Sequence, residues 1–417
     1  MLRLGLLLMG SGTSGYRVIR GMKRAGRALG FDRLDVIVSV NTITCTFHRG
    51  HHFRTIVATQ NNPAVDASRI EALDNLTHHM HRRITVAELN GWLDDIEENV
   101  RGRWAPWLLM LAAGAACFGF AILNRYTLGE AAVVFFAACI GQLVRITLTR
   151  RHLVQLGVVS LSAVAASVSY FALMTLLPTQ EIQVGFVASL LFLVPGFPLY
   201  SSLLDLARFD IPAGASRLIY ALSIITAATI AASIVSAITG LEPLGEVRAQ
   251  LPLWAAAIAS AMGIAGFALI FNSSRRMLVV ATVIGTVANL VRFQLMELGM
   301  RPQFAAFCAG LLIGLIAAVV SKRARLPRIT TTVPAAVIMV PGAAMYQAMY
   351  FVNIGEIDQF LNNAAAAALI VLSIGAGLAL ARMLTDRDWA FGHFIDFSKP
   401  LSASEAQGQP PHSPWVS

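Results

Sequence analysis

Between residues 104 and 385 the sequence is a succession of long apolar runs separated by short polar loops, and no other feature constrains the fold as strongly. A helix that crosses the hydrocarbon core of a bilayer needs about 20 mainly apolar residues. Ten runs approach or exceed this length, at residues 105–123, 128–147, 153–177, 184–206, 216–239, 252–272, 276–297, 303–321, 331–352 and 364–384. The pattern predicts an α-helical polytopic membrane protein with about ten transmembrane helices.

The composition excludes a purely soluble enzyme and a disordered chain. Hydrophobic residues make up 56% of the sequence and charged residues 13%, whereas about 25% of the residues of a soluble protein are charged. The net charge of +9 is typical of basic cytoplasmic loops in a membrane protein. The sequence contains no nucleic-acid-binding module, so we expect the partner to be the lipid bilayer rather than nucleic acid.

Basic residues concentrate in alternate loops, which predicts the orientation. Positively charged loops stay on the cytoplasmic side, so the N-terminal region, these loops and the C-terminus are all expected there. Ten spans return the chain to its starting side, in agreement with this assignment. The basic residues are Arg150, Arg151, Arg208, Arg217, Arg275, Arg276, Lys322, Arg323, Arg325, Arg328, Arg382 and Arg387.

Residues 1–103 contain no run long enough to cross a bilayer and are predicted to form a cytoplasmic α+β domain, called the head below. Residues 2–29 have helical periodicity interrupted at residues 10–15. Residues 34–47 and 53–59 are rich in β-branched residues, which favours strands. Two amphipathic helices should follow, with Asp66 and Thr85 as their N-caps.

The membrane region contains an internal repeat. The sequence VPGFPLY at residues 194–200 recurs as VPGAAMY at 340–346, and QLVR at 142–145 recurs as NLVR at 289–292. Two matches at nearly the same offset indicate duplication. We therefore predict a first five-helix repeat at residues 104–240, a second at 241–385, and a disordered cytoplasmic tail at 386–417. Five is odd, so the repeats should be inverted, as in many secondary transporters.

Both VPG motifs lie near the middle of a predicted span, in the fourth and ninth helices. Proline lacks a backbone donor and glycine frees the chain, so each motif should break its helix. Lipid cannot satisfy the freed backbone groups, and paired broken helices indicate a transport site. Packing kinks are the alternative interpretation. The candidate residues around the breaks are Pro195, Gly196, Pro198, Tyr200, Ser201, Pro341, Gly342, Tyr346 and Gln347.

A few other polar residues lie within the predicted spans, where such residues are costly and often functional. Asp205 could bind a substrate ammonium or carry a proton, or be a solvated helix end. Arg145 and Arg292 are repeat mates that could hold a carboxylate at two gates or anchor the helices at the interface. Asn289 could line the transport path or bond a neighbouring helix.

No catalytic or cofactor site is predicted. The six histidines between residues 48 and 81 lack carboxylates or cysteines at a metal-binding spacing, which favours a solvated basic surface. The glycine- and serine-rich segment 10–15 lacks the lysine of a phosphate-binding loop. We therefore expect no metal, no cofactor and no enzymatic activity.

The chain resembles the threonine/serine exporter family. The resemblance lies in residues 6–30 (LLLMGSGTSGYRVIRGMKRAGRALG), the strand at 35–47, residues 85–96 (TVAELNGWLDDI) and the VPGFPLYSSLLDL segment at 194–206. It implies proton-coupled export of threonine and serine across the bacterial cytoplasmic membrane. Some relatives are split into a long subunit with the head and a short partner, and some of these are associated with dicarboxylate export; here the halves are fused.

Three functional hypotheses remain open at this point. The first is a proton-coupled exporter of threonine and serine that works by alternating access around broken helices four and nine. Such an exporter could assemble as a homo-oligomer. The second keeps the fold and exchanges the substrate for a dicarboxylate such as succinate. The third is a membrane-anchored sensor, which the repeated helix breaks disfavour because a passive anchor needs no irregularity at the midplane.

Overall fold

The computed structural model describes residues 1–60, 64–100, 102–176, 185–240 and 251–391, together with residues 395 and 397. Its first hundred residues form an antiparallel sheet packed against helices, with strand order β1-β2-β3. Alternate residues of β1 and β2, such as Leu34 and Ile43, point into a hydrophobic core with Leu4 and Leu73. The elements are α1 (Leu2–Gly10), α2 (Gly15–Leu29), β1 (Arg33–Val38), β2 (Thr42–Arg49), β3 (His52–Thr59), α3 (Ala67–His78) and α4 (Val86–Asn99).

The helix starts predicted for the head are confirmed. The Asp66 carboxylate accepts a hydrogen bond from the Arg69 N–H at 3.0 Å. Thr85 accepts one from the Glu88 N–H at 3.2 Å, and the Glu88 carboxylate accepts the Thr85 N–H at 2.7 Å, which completes a capping box. The interruption between α1 and α2 includes Gly12 with a positive φ of 85°.

Among the described residues, eight helices are long and apolar enough to cross a membrane. A ninth is added if α13 (Arg328–Val337) and α14 (Gly342–Asn353), which are bent by 56° at their break, count as one span. The eight are α5 (Pro106–Leu123), α6 (Leu128–Arg150), α7 (Gln155–Met174), α9 (Ile211–Thr239), α10 (Leu253–Ile270), α11 (Arg275–Glu297), α12 (Pro302–Ala324) and α15 (Ile357–Thr385). The chain is therefore a multi-pass membrane protein.

The predicted fourth span, 184–206, is not one helix. A 3₁₀ helix at Ala188–Leu193 is followed by a break and by α8 (Gly196–Leu206). At the other end of the membrane region, the predicted tail begins with a short helix, α16 (Arg387–Ala390), in which Trp389 is buried. The disorder predicted for most of residues 391–417 lies outside the described residues.

The helix boundaries repeat along the chain. Both ends of α5 recur 147 residues later as the ends of α10, and the same offset relates α6 to α11. Both ends of α9 recur 146 residues later as the ends of α15. The offset seen in two short motifs therefore extends over whole helices. It changes from 147 to 146 residues between the third helix of each repeat and the broken helix that follows it.

The first helices of the two repeats, α5 and α10, cross at small residues. A methyl group built on Gly119 of α5 would lie 2.5 Å from the Ala259 carbonyl of α10, and one built on Gly266 would lie 2.4 Å from the Ala112 carbonyl. These contacts exchange under the offset of 147, as a two-fold relationship requires. The contact points run in opposite directions along the two helices, so α5 and α10 are antiparallel.

The head docks onto one end of the helix bundle. The N–H of Ala67, at the start of α3, donates to the Phe271 carbonyl at 2.9 Å, and the Asn272 amide donates to Asp66 at 2.8 Å. The Val40 N–H donates to the Ser216 hydroxyl of α9 at 3.0 Å. The loop after α10 and the start of α9 therefore lie on the side that carries the head, as the distribution of basic loops predicts.

Candidate functional site: the two broken helices

The two VPG motifs adopt the same backbone conformation. Pro195 has φ −81° and ψ 59°, and Pro341 has φ −78° and ψ 62°, which are the angles of an inverse γ-turn. In each motif the glycine N–H donates to the valine carbonyl two residues earlier at 2.8 Å. Each helix therefore stops before its proline and restarts at its glycine, and the sequence prediction of two breaks is confirmed.

The breaks pack against each other reciprocally. A methyl group on Gly196 would lie 2.4 Å from Cγ2 of Val337, the last residue of α13. A methyl group on Gly342 would lie 2.1 Å from Cδ2 of Leu191, in the 3₁₀ helix. Gly196 and Gly342 are 146 residues apart, and so are Leu191 and Val337. Each glycine therefore accommodates the segment that precedes the other break.

Both tyrosines that follow the motifs are buried beside this crossing. The Tyr200 hydroxyl donates to the Ala336 carbonyl of α13 at 3.3 Å. The Tyr346 ring meets Phe186 edge to face at 4.8 Å between centroids. Tyr346 also lines a cavity of about 40 Å³ with Gly342 and Thr229. This volume is far below the roughly 300–1,000 Å³ of small-molecule sites, so the described residues leave no room for an amino acid at the crossing in this conformation.

The two repeat-mate arginines contact the broken region in different ways. Arg145 donates to the Phe192 carbonyl at 3.3 Å, in the 3₁₀ helix just before the first break. Arg292 donates to the Asn289 side chain at 2.9 Å, and Asn289 donates to Ser260 at 2.8 Å. Among the described residues neither arginine forms an ion pair with a carboxylate.

Asp205, at the end of α8, is paired with a residue that the sequence did not suggest. Its carboxylate accepts a hydrogen bond from Arg217 of α9 at 2.5 Å, and the two side chains are 1% and 4% exposed. The same oxygen accepts the Gly15 N–H at 3.0 Å. Asp205 is therefore not a solvated helix end. It caps the N-terminus of α2, where the helix dipole favours a negative charge.

The remaining predicted residues divide between two places. Ser201 donates to the Pro198 carbonyl of its own helix at 3.2 Å. Pro198 and Ser201 line a second cavity of about 40 Å³ between α8, α9 and the head, together with Arg217 and Gly12. Gln347, the repeat mate of Ser201, is half-buried in α14. The structure thus brings Pro198 and Ser201 to the head-facing end of the site and Gly342 and Tyr346 to the crossing.

Sequence reasoning missed Arg217 and Gly15 as site residues. Arg217 was assigned to a basic loop, yet it lies within α9 and neutralises Asp205. The only local signal was an aspartate near the end of one apolar run and an arginine near the start of the next. Gly15 lies 190 residues before Asp205, and nothing in the sequence around it indicates the contact.

No group of three or more histidine, cysteine, aspartate or glutamate side chains is arranged to hold a metal ion in the part of the chain that the structure describes. The donors around the crossing are hydroxyl, amide, guanidinium and backbone groups. They suit a small polar organic molecule held by hydrogen bonds and ion pairs better than they suit a cation cage.

Two family models match the chain one after the other. One, described as "Putative threonine/serine exporter", matches residues 1–239, and the other, "Threonine/Serine exporter, ThrE", matches residues 256–384. The first therefore includes the head and the Gly196 break, and the second includes the Gly342 break. No solved structure matches the chain.

Curated relatives include the "Probable succinate transporter subunit YjjP" of Escherichia coli (strain K12), which is 28% identical over 234 residues, 55% of this chain and 88% of the relative. A protein of the same description from Klebsiella aerogenes is 28% identical over 232 residues, again 55% and 88%. The family resemblance seen in the sequence is confirmed, since one model alone covers more than half of the chain. The chain belongs to the threonine/serine exporter family, a family of transporters.

Proposed function

We propose that the protein is a secondary transporter that exports threonine and serine from the bacterial cytoplasm by alternating access around the two breaks. The observation that carries this proposal is the reciprocal contact of Gly196 with Val337 and of Gly342 with Leu191. A two-fold contact between broken helices can open toward either side when one repeat tilts against the other. A passive membrane anchor has no need for such a contact, which disfavours the sensor hypothesis.

The proposed orientation places the head, both termini and the basic loops in the cytoplasm, with ten spans formed by eight continuous and two broken helices. Antiparallel packing of α5 and α10 supports an inverted arrangement of the repeats. The small cavities at the crossing and at the head indicate a closed conformation, so transport requires the second repeat to move relative to the first.

A small hydroxy amino acid suits the groups at the crossing. The backbone carbonyls at the two breaks can accept from its ammonium group, and Tyr200 and Tyr346 can bond its hydroxyl. Arg292 can pair with its carboxylate. The backbone carbonyls and the tyrosines come from both repeats, and Arg292 comes from the second. A substrate site at the repeat interface requires contributions from both.

Asp205 is proposed as the proton-coupling residue. Its buried pairing with Arg217 stabilises the ionised form, and protonation would weaken both that ion pair and the hydrogen bond from Gly15. Proton uptake at Asp205 would then release the head from α8. In this scheme the head closes the cytoplasmic end of the pathway in the unprotonated state and opens when a proton binds.

A second candidate substrate is a dicarboxylate such as succinate. Two observations favour it: the curated relatives are described as succinate transporter subunits, and Arg145 and Arg292 lack carboxylate partners among the described residues. Guanidinium groups bind carboxylates in a bidentate manner. The fold and the breaks would serve this substrate equally well.

Transport into proteoliposomes separates these candidates. Purified full-length protein is reconstituted, and the uptake of labelled threonine and labelled succinate is measured with and without an imposed pH gradient. We expect threonine flux that increases with the gradient. Succinate flux without threonine flux would replace the substrate, and no flux of either from folded protein would contradict the transporter proposal.

A further inference from the structure

A basic cleft lies between the head and the ends of the membrane helices, away from the breaks. Its volume is about 620 Å³, within the range of small-molecule sites. Seven arginine and lysine side chains line it, against two aspartates. Helix α2 of the head contributes Arg17, Arg20 and Arg24. The end of α12, the loop that follows it and the start of α13 contribute Lys322, Arg325 and Arg328, in that order.

Three of these cations have no hydrogen-bonded or ion-paired partner in the part of the chain that the structure describes. Arg17 pairs with Asp74 at 2.8 Å, Arg20 pairs with Asp388 at 2.7 Å, and Arg328 donates to the Thr385 hydroxyl at 2.8 Å. By contrast, Arg24, Lys322 and Arg325 form no ion pair and no side-chain hydrogen bond with any described residue. One of them belongs to the head and two to the membrane region, so an anion between them would bridge the two parts.

Burial and the nearby positive charges lower the pKa values of two groups in this cleft. Burial, together with the charges of Arg20 and Arg17, lowers the pKa of Arg24 to about 10, although Asp74 acts in the opposite direction. Partial burial lowers the pKa of His78 to about 4, and the nearby Arg24, Arg17 and Arg20 add to that effect against Asp74. An anion in the cleft would offset the part of both shifts that comes from the neighbouring arginines.

We propose that this cleft binds a phosphate-bearing ligand through Arg24, Lys322 and Arg325. The proposal concerns a site separate from the transport path and does not depend on the identity of the transported molecule. Guanidinium and ammonium groups that line one cleft from two sides suit a phosphoryl group, which offers several oxygens and up to two negative charges. The ligand is either a soluble phosphate compound or the headgroup of an anionic lipid at the membrane surface.

Binding is tested on the full-length protein in nanodiscs of neutral phosphatidylcholine, with inorganic pyrophosphate as the probe in isothermal titration calorimetry. We expect saturable binding that weakens with salt. Arg24→Gln and Lys322→Gln should each weaken it about tenfold or more, because each removes a charge-assisted hydrogen bond to the phosphate. Arg54→Gln removes the same charge from the exposed surface of β3 and should leave the affinity unchanged.

Two further comparisons identify the source of the phosphate. If the natural ligand is a lipid headgroup, nanodiscs containing phosphatidylglycerol should abolish pyrophosphate binding, whereas a soluble ligand predicts that binding persists there. Absence of pyrophosphate binding in phosphatidylcholine, equal weakening by Arg54→Gln, or equal affinity for succinate would each overturn the proposal. The folded state of every variant is verified by its melting temperature.

Discussion

Val337 occupies the space that a side chain on Gly196 would need: a methyl group on that glycine would lie 2.4 Å from Cγ2 of Val337 and 3.2 Å from Cγ1. The corresponding contact at the other break is between Gly342 and Leu191. The two contacts are related by the repeat but differ in stiffness. Valine is β-branched and has little freedom at χ1, whereas the Leu191 contact is with the end of a flexible side chain.

The first prediction follows from this difference. Gly196→Ala should destabilise the protein by about 1–3 kcal/mol, the usual cost of overpacking, and Gly342→Ala by less, because Leu191 can change rotamer. Val337→Ala should restore stability to the Gly196→Ala protein. Gly129→Ala is the matched control because a methyl group there would meet no atom within 4 Å. Melting temperatures in detergent measure all four, and equal losses at both breaks would contradict the packing account.

The second prediction concerns the pair of Asp205 and Arg217. Asp205→Asn should abolish the dependence of flux on the pH gradient, since the side chain no longer titrates. Arg217→Gln should cost about 3–5 kcal/mol of stability, because it leaves a buried carboxylate without its partner. The double variant should be more stable than the sum of the single effects implies.

The control for this pair is Asp358→Asn, which removes an exposed carboxylate from the first turn of α15. Flux through that variant should keep its normal response to the pH gradient. A normal response in Asp205→Asn as well would eliminate Asp205 as the coupling residue, whatever its effect on stability.

The third prediction tests the docking of the head. A methyl group on Gly15 would lie 2.5 Å from Cβ of Ala213 in α9, and neither atom can move without its backbone. Gly15→Ala should therefore loosen the head, and Ala213→Gly in the same chain should restore it. Disulfide formation between cysteines introduced at Val40 and Ser216, which are hydrogen-bonded in the docked head, measures the contact. An unchanged yield in Gly15→Ala would show that the head is docked by other contacts.

The fourth prediction concerns the core of the head. Burial raises the pKa of Cys45 to about 12, and Asp35 adds to the effect. Because the thiolate is the reactive form and an ordinary thiol has a pKa near 8.5, Cys45 should resist maleimide labelling as the pH rises from 7 to 9. The other three cysteines are replaced by alanine for this measurement.

Val57→Cys in a chain without Cys45 provides the comparison, because Val57 is 60% exposed on β3. Its labelling should accelerate through the same pH range. Comparable labelling of Cys45 would mean that the helices of the head do not cover this face of the sheet in solution.

Features that depend on local sequence were predictable, and those that depend on distant pairing were not. The caps at Asp66 and Thr85 and the breaks at Pro195 and Pro341 follow from residue types within four positions of each other. The repeat was visible from two short motifs, because duplicated helices keep their spacing even where most side chains have diverged.

The environment of Asp205 was not predictable, because its partners come from a helix in the head and from the following membrane helix. The burial of Glu130 is also not predictable from hydropathy. This residue is 5% exposed and completes the capping box of α6 with Thr127. The carboxylate accepts the backbone N–H and the hydroxyl of Thr127, so it needs no solvent. Only the capping-box spacing, not the hydropathy, could have indicated this.

The most direct test of the central claim, that the crossing of the broken helices is the transport site, is threonine flux through Gly342→Leu beside Gly129→Leu in proteoliposomes. A leucine at 342 must displace Leu191 and fill the space beside Tyr346, whereas residue 129 has open space around it. The account predicts that Gly342→Leu reaches the membrane folded but transports no threonine, while Gly129→Leu transports it normally. Normal flux through Gly342→Leu would show that the breaks are structural kinks and that substrate passes elsewhere.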